Sequence, residues 1–255
     1  MVSAEYVEIG DARLEYKRIP ATLPGRAPIV LLHEGLGSIA MWRDFPERVA
    51  AATGAETMVY SRRGYGRSTP MKARRGVDYM HVEAREVLPK VLERLGLERP
   101  VLLGHSDGGS IALIHAASGH ATAGLIVMAP HIFVEDLTVT SIEAAKQTYK
   151  TTDLGLRLGR YHADADHTFW GWNDIWLDPA FRSWNIEALV PAITARILCI
   201  QGEDDEYGTR AQVDGIARLA RGPCEVVLLP ACKHSPHRDQ PEATLNLIRR
   251  FTSGG

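Results

Sequence analysis

Several features that would point to a particular class of protein are absent from this chain of 255 residues. Its 29 basic and 31 acidic residues leave a formal net charge of -2, which gives no electrostatic reason to expect a nucleic acid or an anionic membrane as partner. No run approaches the ~18 apolar residues that a membrane span needs. The first residues lack a basic and an apolar segment, so the sequence predicts no signal peptide. We therefore expect a cytoplasmic protein.

Metal, disulfide and nucleotide signatures are missing as well. The three cysteines (Cys199, Cys224 and Cys232) lack the spacing of metal ligands, and the first two lie in apolar runs where a thiol acts as a small core residue. His234 and His237 lie in a loop that contains proline rather than on a helix, and there is no GxxxxGK[ST] sequence. The sequence thus predicts no metal and no other cofactor.

Short apolar runs alternate with helical patterns along most of the chain. A hairpin over residues 6–18 precedes runs that are typical of strands buried on both faces of a parallel sheet, at 29–32, 57–60, 101–103, 125–128, 197–200 and 226–229. Helical patterns lie between them, at 42–52, 79–95, 110–118, 210–219 and 241–251. This alternation predicts an α/β protein with a doubly wound, mostly parallel sheet.

One segment, residues 131–191, interrupts the alternation. It has a mixed helical pattern without a convincing buried strand, and it holds most of the tryptophans of the chain. We expect a helical cap inserted between two core strands, with residues 1–130 and 192–255 forming the two parts of the core. Most aromatic side chains of the cap should pack on the core. His131, Trp172 and Trp176 are candidates to contact a substrate, since ligand pockets are largely apolar and aromatic.

The most informative sequence is Gly104-His105-Ser106-Asp107-Gly108, between an apolar run and a helical pattern. A G-x-S-x-G sequence in that context is typical of a nucleophile elbow, in which a serine hydroxyl stands above the sheet edge on a tight turn. Small residues are needed on both sides because a Cβ atom would clash where the backbones approach. The following helix directs free N–H groups at any anion that forms there. The alternative is an ordinary glycine-rich loop.

A serine hydroxyl needs a base to act as a nucleophile near neutral pH, and the base needs an acid to orient it. His234 follows the last predicted strand, and an acidic run at 203–206 follows the preceding one. Both segments therefore lie at the carboxyl edge of the predicted sheet, together with Ser106. The resulting order along the chain is Ser, Asp, His, which is the order of the α/β-hydrolases.

Further motifs make this resemblance specific. Residues 31–38 (LLHEGLGS) resemble the HG oxyanion loop of that family, and residues 61–68 (SRRGYGRS) resemble its D-x-R-G-x-G-x-S segment, with Ser61 where aspartate is usual. Gly202-x-x-Asp205 and residues 234–237 resemble its acid and histidine loops. The chain resembles α/β-hydrolases of the small esterase, C–C hydrolase and thioesterase type over nearly its full length outside the cap. The resemblance implies an α/β-hydrolase fold.

The resemblance also implies a role for each site residue. A catalytic triad would consist of Ser106 as nucleophile, His234 as general base and Asp205 as orienting acid. Asp204 and His237 are the alternatives for the acid and the base. The backbone N–H groups of Gly35 and Asp107 would form the oxyanion hole. The implied activity is hydrolysis of a small or medium carboxylic ester through an acyl-enzyme, with a small acyl compound as substrate.

Two carboxylates depart from the family pattern and are candidates for substrate binding. Glu34 replaces the glycine of the HG pair, and Asp107 follows the nucleophile where a hydrophobic residue is common. Negative charges beside a developing oxyanion oppose catalysis, so they must be paired, turned away or used to bind a cation. Asp107 resembles the aspartate of valacyclovir-hydrolase-like enzymes, which holds the amino group of amino-acid esters. The alternative is internal pairing with arginines such as Arg43 or Arg62, or with cap backbone.

Other activities fit the same motifs. A thioesterase or a C–C bond hydrolase would use the same triad, with the cap setting selectivity. Haloalkane dehalogenases and epoxide hydrolases are disfavoured because their elbow carries an aspartate nucleophile. The fold also serves as a ligand receptor or a synthase, but the intact Ser-Asp-His set argues against a non-catalytic role. An oligomer is possible, although no feature of the sequence indicates one.

Overall fold

The computed structural model describes residues 5–71 and 73–254. Residues 1–4, at which the sequence predicts no signal peptide, lie outside the described residues. Eight strands form one sheet: β1 (Glu5–Ile9), β2 (Ala12–Ile19), β3 (Ile29–Leu32), β4 (Thr57–Tyr60), β5 (Val101–His105), β6 (Gly124–Met128), β7 (Ile197–Gly202) and β8 (Cys224–Leu229). The α-helices of the core are α1 (Phe45–Thr53), α2 (Tyr79–Val82), α3 (Leu88–Arg94), α4 (Asp107–Ala117), α8 (Ala211–Leu219), α9 (Pro236–Asp239) and α10 (Pro241–Ser253). Between β6 and β7 lie α5 (Asp136–Thr151), α6 (Leu154–Leu158) and α7 (Ala165–Trp176).

The strand order is β1-β2-β4-β3-β5-β6-β7-β8, in which β2 runs antiparallel to the other strands. Every pair from β4 to β8 is parallel. The carboxyl ends of these strands therefore meet at one edge of the sheet. The loops that follow β3, β5, β6, β7 and β8 all leave from that edge, which is where the predicted site residues lie. The predicted doubly wound, mostly parallel α/β fold is confirmed.

Helices cover both faces of the sheet, so alternate residues of the central strands enter two separate cores. Val30 and Leu32 of β3 belong to the core that includes Ile111 of α4. Ile29 and Leu31 belong to the core on the other face, against α1 and α10. Because every position of such a strand is buried, the strand appears in the sequence as a continuous apolar run. No helix among the described residues is both long and apolar enough to cross a membrane.

The predicted helix over residues 42–52 begins later than expected. A short 3₁₀ turn (Ile39–Trp42) comes first, and Arg43 then adopts a positive φ of 56° that ends the turn. α1 begins at Phe45, with Pro46 in its first turn. Proline is tolerated there because the first N–H groups of a helix have no partner within it.

The predicted helical pattern over residues 79–95 is confirmed: α2, a π-helical turn and α3 follow one another without a break. A π-helical turn (Glu83–Val87) separates α2 from α3. Pro89 lies in the first turn of α3. A proline ring collides with the carbonyl group four residues earlier in a regular α-helix, and the wider turn before Pro89 relieves that collision.

Residues 129–196, which we name the helical insertion, contain α5, α6 and α7 and two 3₁₀ turns (Pro179–Ser183 and Val190–Ala192). Phe133 and Asn185 form an isolated β-bridge near its two ends. Its aromatic side chains pack mainly on one another: Trp176 contacts Phe181 edge to face, and Phe181 stacks on Trp184. The sequence predicts instead that most of these aromatics pack on the core, which Phe181 and Trp184 also do through Tyr79 and His81 of α2. The division into core and cap at residues 131 and 191 stays a prediction.

Glu15 of β2 places a carboxylate beside Ser61, the position at which the motif resemblance predicts an aspartate. Its Oε1 accepts a hydrogen bond from Ser61 Oγ at 2.7 Å, and its Oε2 accepts one from Arg67 N at 2.9 Å. Glu15 N donates to Ser68 Oγ at 2.9 Å. A carboxylate on a neighbouring strand thus ties the loop of residues 61–68 to the sheet. The motif alone could not reveal it, because Glu15 lies outside the motif.

Candidate active site

Ser106 occupies a tight turn between β5 and α4. Its φ of 52° and ψ of -118° lie in a region that non-glycine residues rarely adopt. A Cβ atom on Gly104 would lie 2.2 Å from the carbonyl oxygen of Gly108, and one on Gly108 would lie 2.0 Å from that of Leu32. Both contacts are far inside van der Waals distance, so glycine is required at both positions. The turn has the form that the sequence predicts for a nucleophile elbow.

Ser106, His234 and Asp205 form a hydrogen-bonded series. His234 Nε2 lies 3.0 Å from Ser106 Oγ, and His234 Nδ1 lies 2.8 Å from Asp205 Oδ1. With Asp205 ionised, Nδ1 carries the ring proton and Nε2 is free to accept the serine proton. The fold brings together three side chains that follow β5, β7 and β8.

The two alternative residues lie elsewhere. The side chain of Asp204 is exposed to solvent. His237 is buried on α9, where its ring packs 4.7 Å from the ring of Trp42 and 5.3 Å from that of Phe45. Burial lowers the pKa of His237 well below its usual value, so the ring is neutral. Geometry therefore favours Asp205 and His234 over these alternatives.

The carboxylate of Asp205 is held by the loop that carries it. Oδ1 accepts hydrogen bonds from Tyr207 N at 2.9 Å and Gly208 N at 3.2 Å, and Oδ2 accepts one from Gln201 Nε2 at 3.2 Å. Burial alone would raise the pKa of Asp205, but His234 and the backbone N–H of Tyr207 outweigh it and lower that pKa. Asp205 is therefore ionised near neutral pH and fixed in orientation.

A cavity of about 240 Å³ lies over Ser106. The core contributes to its wall Glu34, Gly35, Leu36, Met41, His105, Ser106, Asp107, Tyr207, His234 and Ser235. The helical insertion contributes His131, Thr138, Ile142, Leu154, Leu158, Trp172 and Trp176. Every residue that the sequence predicts at the site lines this cavity except Asp205, which lies behind His234. The insertion supplies mostly apolar side chains, and the core supplies most of the polar ones.

Trp172 of α7 lies directly on Gly35. A Cβ atom on Gly35 would lie 2.2 Å from both Cδ1 and Nε1 of the Trp172 indole. The edge of the indole therefore contacts the glycine backbone beside the predicted oxyanion hole. Glycine is needed at position 35 because any side chain would displace this tryptophan.

His131 stands on the opposite wall as a neutral group. Its backbone is fixed to α4, since Ser110 Oγ donates to His131 O at 2.6 Å and accepts from His131 N at 3.1 Å. Its ring centroid lies 5.8 Å from that of His234 and 5.1 Å from that of Trp176. Burial lowers the pKa of His131 to about 3, so the ring offers hydrogen bonds without charge. Sequence analysis missed the contribution of Ser110.

Asp107 is buried at 1% exposure and has internal partners. Tyr79 Oη donates to its Oδ2 at 2.7 Å, and Arg62 Nη2 lies 3.8 Å from the same oxygen. Oδ1 has no hydrogen-bond partner among the described residues. Burial and the Asp107 carboxylate raise the pKa of Tyr79 well above its usual value, so its hydroxyl remains a donor. The charge of Asp107 is thus balanced, but one oxygen is left unpaired.

Glu34 has different partners from those that the sequence suggested. Its Oε2 lies 3.6 Å from His105 Nδ1, and its Oε1 lies 3.9 Å from Arg238 Nη2. Of the two arginines considered for internal pairing, Arg62 is a partner of Asp107. Within the described part of the chain, Arg43 pairs with neither carboxylate.

The His, Cys, Asp and Glu side chains of the described residues do not form a metal site. No group of three or more His, Cys, Asp or Glu side chains within 5–71 and 73–254 is arranged to hold a metal ion. All three cysteines are free thiols, with Cys199 Sγ and Cys224 Sγ 3.9 Å apart on neighbouring strands.

Comparison with known proteins identifies the family. The sequence profile of the Alpha/beta hydrolase family matches residues 29–247. The chain belongs to this family. This α/β hydrolase has curated relatives that are named proline iminopeptidase. The proline iminopeptidase of Lactobacillus delbrueckii subsp. lactis is 32% identical to it over 114 residues. That match covers 45% of this chain and 38% of the relative, so the chain spans well under half the length of the relatives it matches.

Solved structures of α/β hydrolases with several activities share the fold. The proline iminopeptidase of Mycobacterium smegmatis has a TM-score of 0.79 and 19% identity, with 98% of each chain covered. An esterase from Exiguobacterium antarcticum has a TM-score of 0.78 and 19% identity, over 99% of this chain and 100% of that one. The enol-lactonase of Burkholderia xenovorans has a TM-score of 0.75 and 16% identity, over 98% and 100%. The family is one of hydrolases, and the names of these structurally similar proteins cover several activities.

Proposed function

We propose that this α/β hydrolase cleaves a small or medium carboxylic ester with Ser106 as nucleophile, through an acyl-enzyme. The observation that carries the proposal is the hydrogen-bonded series from Ser106 through His234 to Asp205, with distances of 3.0 and 2.8 Å. A serine hydroxyl within hydrogen-bond reach of a histidine that is itself oriented by a carboxylate is the arrangement that acyl transfer requires.

Acylation follows from this series. Ser106 Oγ bonds to the acyl carbon while its proton moves to His234 Nε2, and an electron pair of the carbonyl group moves onto its oxygen. The ionised Asp205 stabilises the resulting imidazolium. When the intermediate collapses, the bond to the leaving oxygen breaks and His234 gives that oxygen the proton. Water then attacks the acyl-enzyme with His234 as base, which releases the acid and restores Ser106.

The charge on the carbonyl oxygen would be stabilised by the backbone N–H groups of Gly35 and Asp107. Both residues border the cavity beside Ser106. Asp107 is the first residue of α4, so its N–H is one of those that a helix leaves without an internal partner. The positive end of the α4 dipole adds to this stabilisation. Preorganised donors of this kind contribute a factor of about 10²–10³ each.

The cavity favours a compact, largely apolar acyl group. Its volume of about 240 Å³ is small for a ligand pocket, and Ile142, Leu158 and Trp172 give it apolar walls. The neutral ring of His131 is available to hydrogen-bond a leaving group or a water molecule. A long acyl chain would be accommodated poorly.

A second candidate substrate, an ester whose acyl group carries an amine, is favoured by the unpaired Oδ1 of Asp107. A buried carboxylate oxygen without a partner is costly, and a substrate ammonium or N–H would satisfy it. Comparing an amino-acid ester with its N-acetyl analogue separates the two candidates. A preference for the free amine that is lost in Asp107→Asn would support the second, and equal rates would contradict it.

The proposal is tested by hydrolysis of matched esters, thioesters and amides by the wild type and Ser106→Ala. We expect turnover of short nitrophenyl esters that falls with acyl length and disappears in Ser106→Ala. Because relatives carry the name proline iminopeptidase, the panel includes a proline amide. Faster cleavage of the amide or thioester than of every ester would overturn the assignment of substrate class. Equal ester turnover by Ser106→Ala would overturn the mechanism.

A further inference from the structure

Arg62 is a buried cation that follows β4, with only 3% of its side chain exposed. Its Nη2 donates a hydrogen bond to the carbonyl oxygen of Glu34 at 2.9 Å and lies 3.8 Å from Asp107 Oδ2, an ion-pair distance. The lining of the cavity over Ser106, as far as the structure describes it, does not include Arg62. One buried nitrogen therefore lies beside both segments that supply N–H groups to the proposed oxyanion hole.

The carbonyl oxygen of Glu34 is held from several directions. Besides the bond from Arg62 Nη2, the Nδ1 atom of His33 lies 2.7 Å from it, and Gly37 N donates to it at 3.1 Å. A trans peptide is planar, so its N–H group points away from its carbonyl oxygen. Fixing the carbonyl oxygen of Glu34 therefore also fixes the direction of the N–H group of Gly35, which belongs to the same peptide.

His33 is a neutral donor in this arrangement. Burial, and then the charge of Arg62, lower the pKa of His33 well below its usual value. Its Nε2 accepts a hydrogen bond from the backbone N–H of Arg62 at 3.1 Å, so the proton of the neutral ring is on Nδ1, which faces the carbonyl of Glu34. Because His33 follows β3 and Arg62 follows β4, these contacts join the loops after two adjacent parallel strands.

The second donor of the proposed hole is linked to the same guanidinium through its side chain. Asp107 would give its own N–H group to the oxyanion, and its buried carboxylate is paired with Arg62. The guanidinium is also packed on the ring of Tyr65, with Cζ 4.8 Å from the ring centroid. A carboxylate beside a developing oxyanion opposes its formation, and a cation at this distance offsets that effect.

We propose that Arg62 is a positioning residue for the oxyanion hole, which aims the Gly35 N–H through the carbonyl of Glu34 and balances the charge of Asp107. This inference rests on the proposed serine hydrolase function. A peptide whose carbonyl accepts hydrogen bonds is also a stronger donor at its N–H group. The contacts of Arg62 should therefore stabilise the tetrahedral intermediate, in which the substrate oxygen is charged, more than the bound ester.

Arg62→Lys tests the inference in the kinetics of a short ester. Lysine keeps the positive charge near Asp107, but its side chain is shorter and lacks the planar fork of arginine, so the bond to the Glu34 carbonyl is lost. We expect kcat to fall about 10–100-fold with KM within about threefold, because a misdirected N–H group loses part of the factor that one donor contributes. Arg63→Lys is the matched control, since Arg63 is the next residue of the same loop and pairs with exposed Asp11 at 2.8 and 2.9 Å. Its kcat should equal that of the wild type.

Two matched inhibitors separate positioning from a general structural role. Ser106 Oγ bonds to the carbonyl carbon of a trifluoromethyl ketone, its proton passes to His234, and the ketone oxygen becomes an oxyanion in the hole. The corresponding secondary alcohol fills the same cavity without forming an oxyanion. In Arg62→Lys we expect the inhibition constant of the ketone to rise about 10–100-fold and that of the alcohol to stay within about twofold. An equal rise for both inhibitors would mean that the cavity itself has changed, and would overturn the inference.

Variants of His33 carry the test if Arg62→Lys does not fold. His33→Phe keeps a ring but removes the donor to the Glu34 carbonyl, and His33→Gln supplies an amide donor in its place. We expect the ketone to bind about 3–10-fold more weakly to His33→Phe, with part of that loss recovered in His33→Gln.

Wild-type affinity for the ketone in a folded Arg62→Lys or His33→Phe, or an equal loss in Arg63→Lys, would overturn the inference. Failure of the proposed hydrolase function has a different signature. In that case neither the ketone nor an organophosphate ester would react with Ser106 of the wild type, and both proposals would fall together.

Discussion

The two walls of the cavity are held in place by different kinds of contact. The wall from the core holds its groups by directed hydrogen bonds, such as the 2.8 Å contact between His234 and Asp205. The wall from the helical insertion is mostly apolar and is held by contacts between aromatic rings, such as that between Trp176 and Phe181. Hydrogen bonds fix atoms to a few tenths of an ångström, whereas apolar packing tolerates replacement by groups of similar volume. Under the proposed function, we expect the first wall to carry the reaction chemistry and the second to set selectivity.

Among these predictions, removing the charge of Asp205 should cause the largest loss of activity. Asp205→Asn keeps the shape of the side chain but no longer favours the His234 tautomer that can accept the serine proton. We expect kcat to fall about 10⁴-fold on a short ester. Asp204→Asn, a change of the same kind in an exposed neighbour, should stay within about threefold of the wild type. Similar losses in both variants would contradict the assignment of the acid.

Adding a single methyl group at Gly108, close to Ser106, should strongly lower the stability of the protein. The Cβ atom of Gly108→Ala would lie 2.0 Å from the carbonyl oxygen of Leu32, and neither backbone can move without shifting β3 or α4. We expect the free energy of unfolding to fall by about 3–5 kcal/mol in denaturant titration. Gly109→Ala is the control, because its Cβ would meet Pro130 at 3.0 Å, a milder contact with a side chain. Equal stability of the two variants would show that the elbow is less tightly packed than described.

Replacing Trp172 should change selectivity while leaving the chemistry in place. Trp172→Ala opens the space over Gly35, so we expect the ratio of kcat/KM for a medium over a short acyl ester to rise about 10–100-fold. Ser106 should still be labelled by an organophosphate ester. Trp170→Ala, at a half-buried position outside this cavity, should leave the ratio unchanged. An unchanged ratio in Trp172→Ala would mean that the insertion does not set acyl selectivity.

His131 of the insertion lies next to His234 of the core. Its burial should make the free energy of unfolding depend on pH on the acid side. Its pKa of about 3 in the folded protein lies below the usual value of 6.5 because the ring is buried. Below pH 6.5 the unfolded chain binds a proton at His131 that the folded protein does not. The stability that the protein has above pH 6.5 is therefore progressively lost as pH falls toward 3. We expect His131→Gln to flatten the acid side of the stability curve by about 1.4 kcal/mol per pH unit within this window. An unchanged slope, measured by denaturant titration at several pH values, would place His131 in a hydrated site.

Sequence reasoning found the core wall because each of its groups follows a buried strand within a short motif. The strand pattern placed Ser106, His234 and the acidic run 203–206 at one sheet edge, and the resemblance to α/β-hydrolases selected Asp205 from that run. Contacts between side chains that are distant in the chain could not be foreseen. Glu15 of β2 hydrogen-bonds Ser61 of the motif from another strand, and Ser110 of α4 hydrogen-bonds the backbone of His131. No local pattern encodes either pair.

The insertion was predicted only in outline for a related reason. Its helical character and tryptophan content are visible in the sequence, but which ring faces the cavity depends on how its helices pack. Trp170 and Trp172 illustrate this, since only Trp172 contacts Gly35 although both lie on α7. The π-helical turn of residues 83–87 lies inside a predicted helical stretch, and the pattern of apolar residues does not distinguish it from a regular α-helix.

The central claim, that Ser106 is a nucleophile activated by His234, is tested most directly by intact-mass analysis after brief exposure to an organophosphate ester. The account predicts a single adduct on the wild type and none on Ser106→Ala. An unlabelled wild type, or an equal adduct on Ser106→Ala, would contradict it.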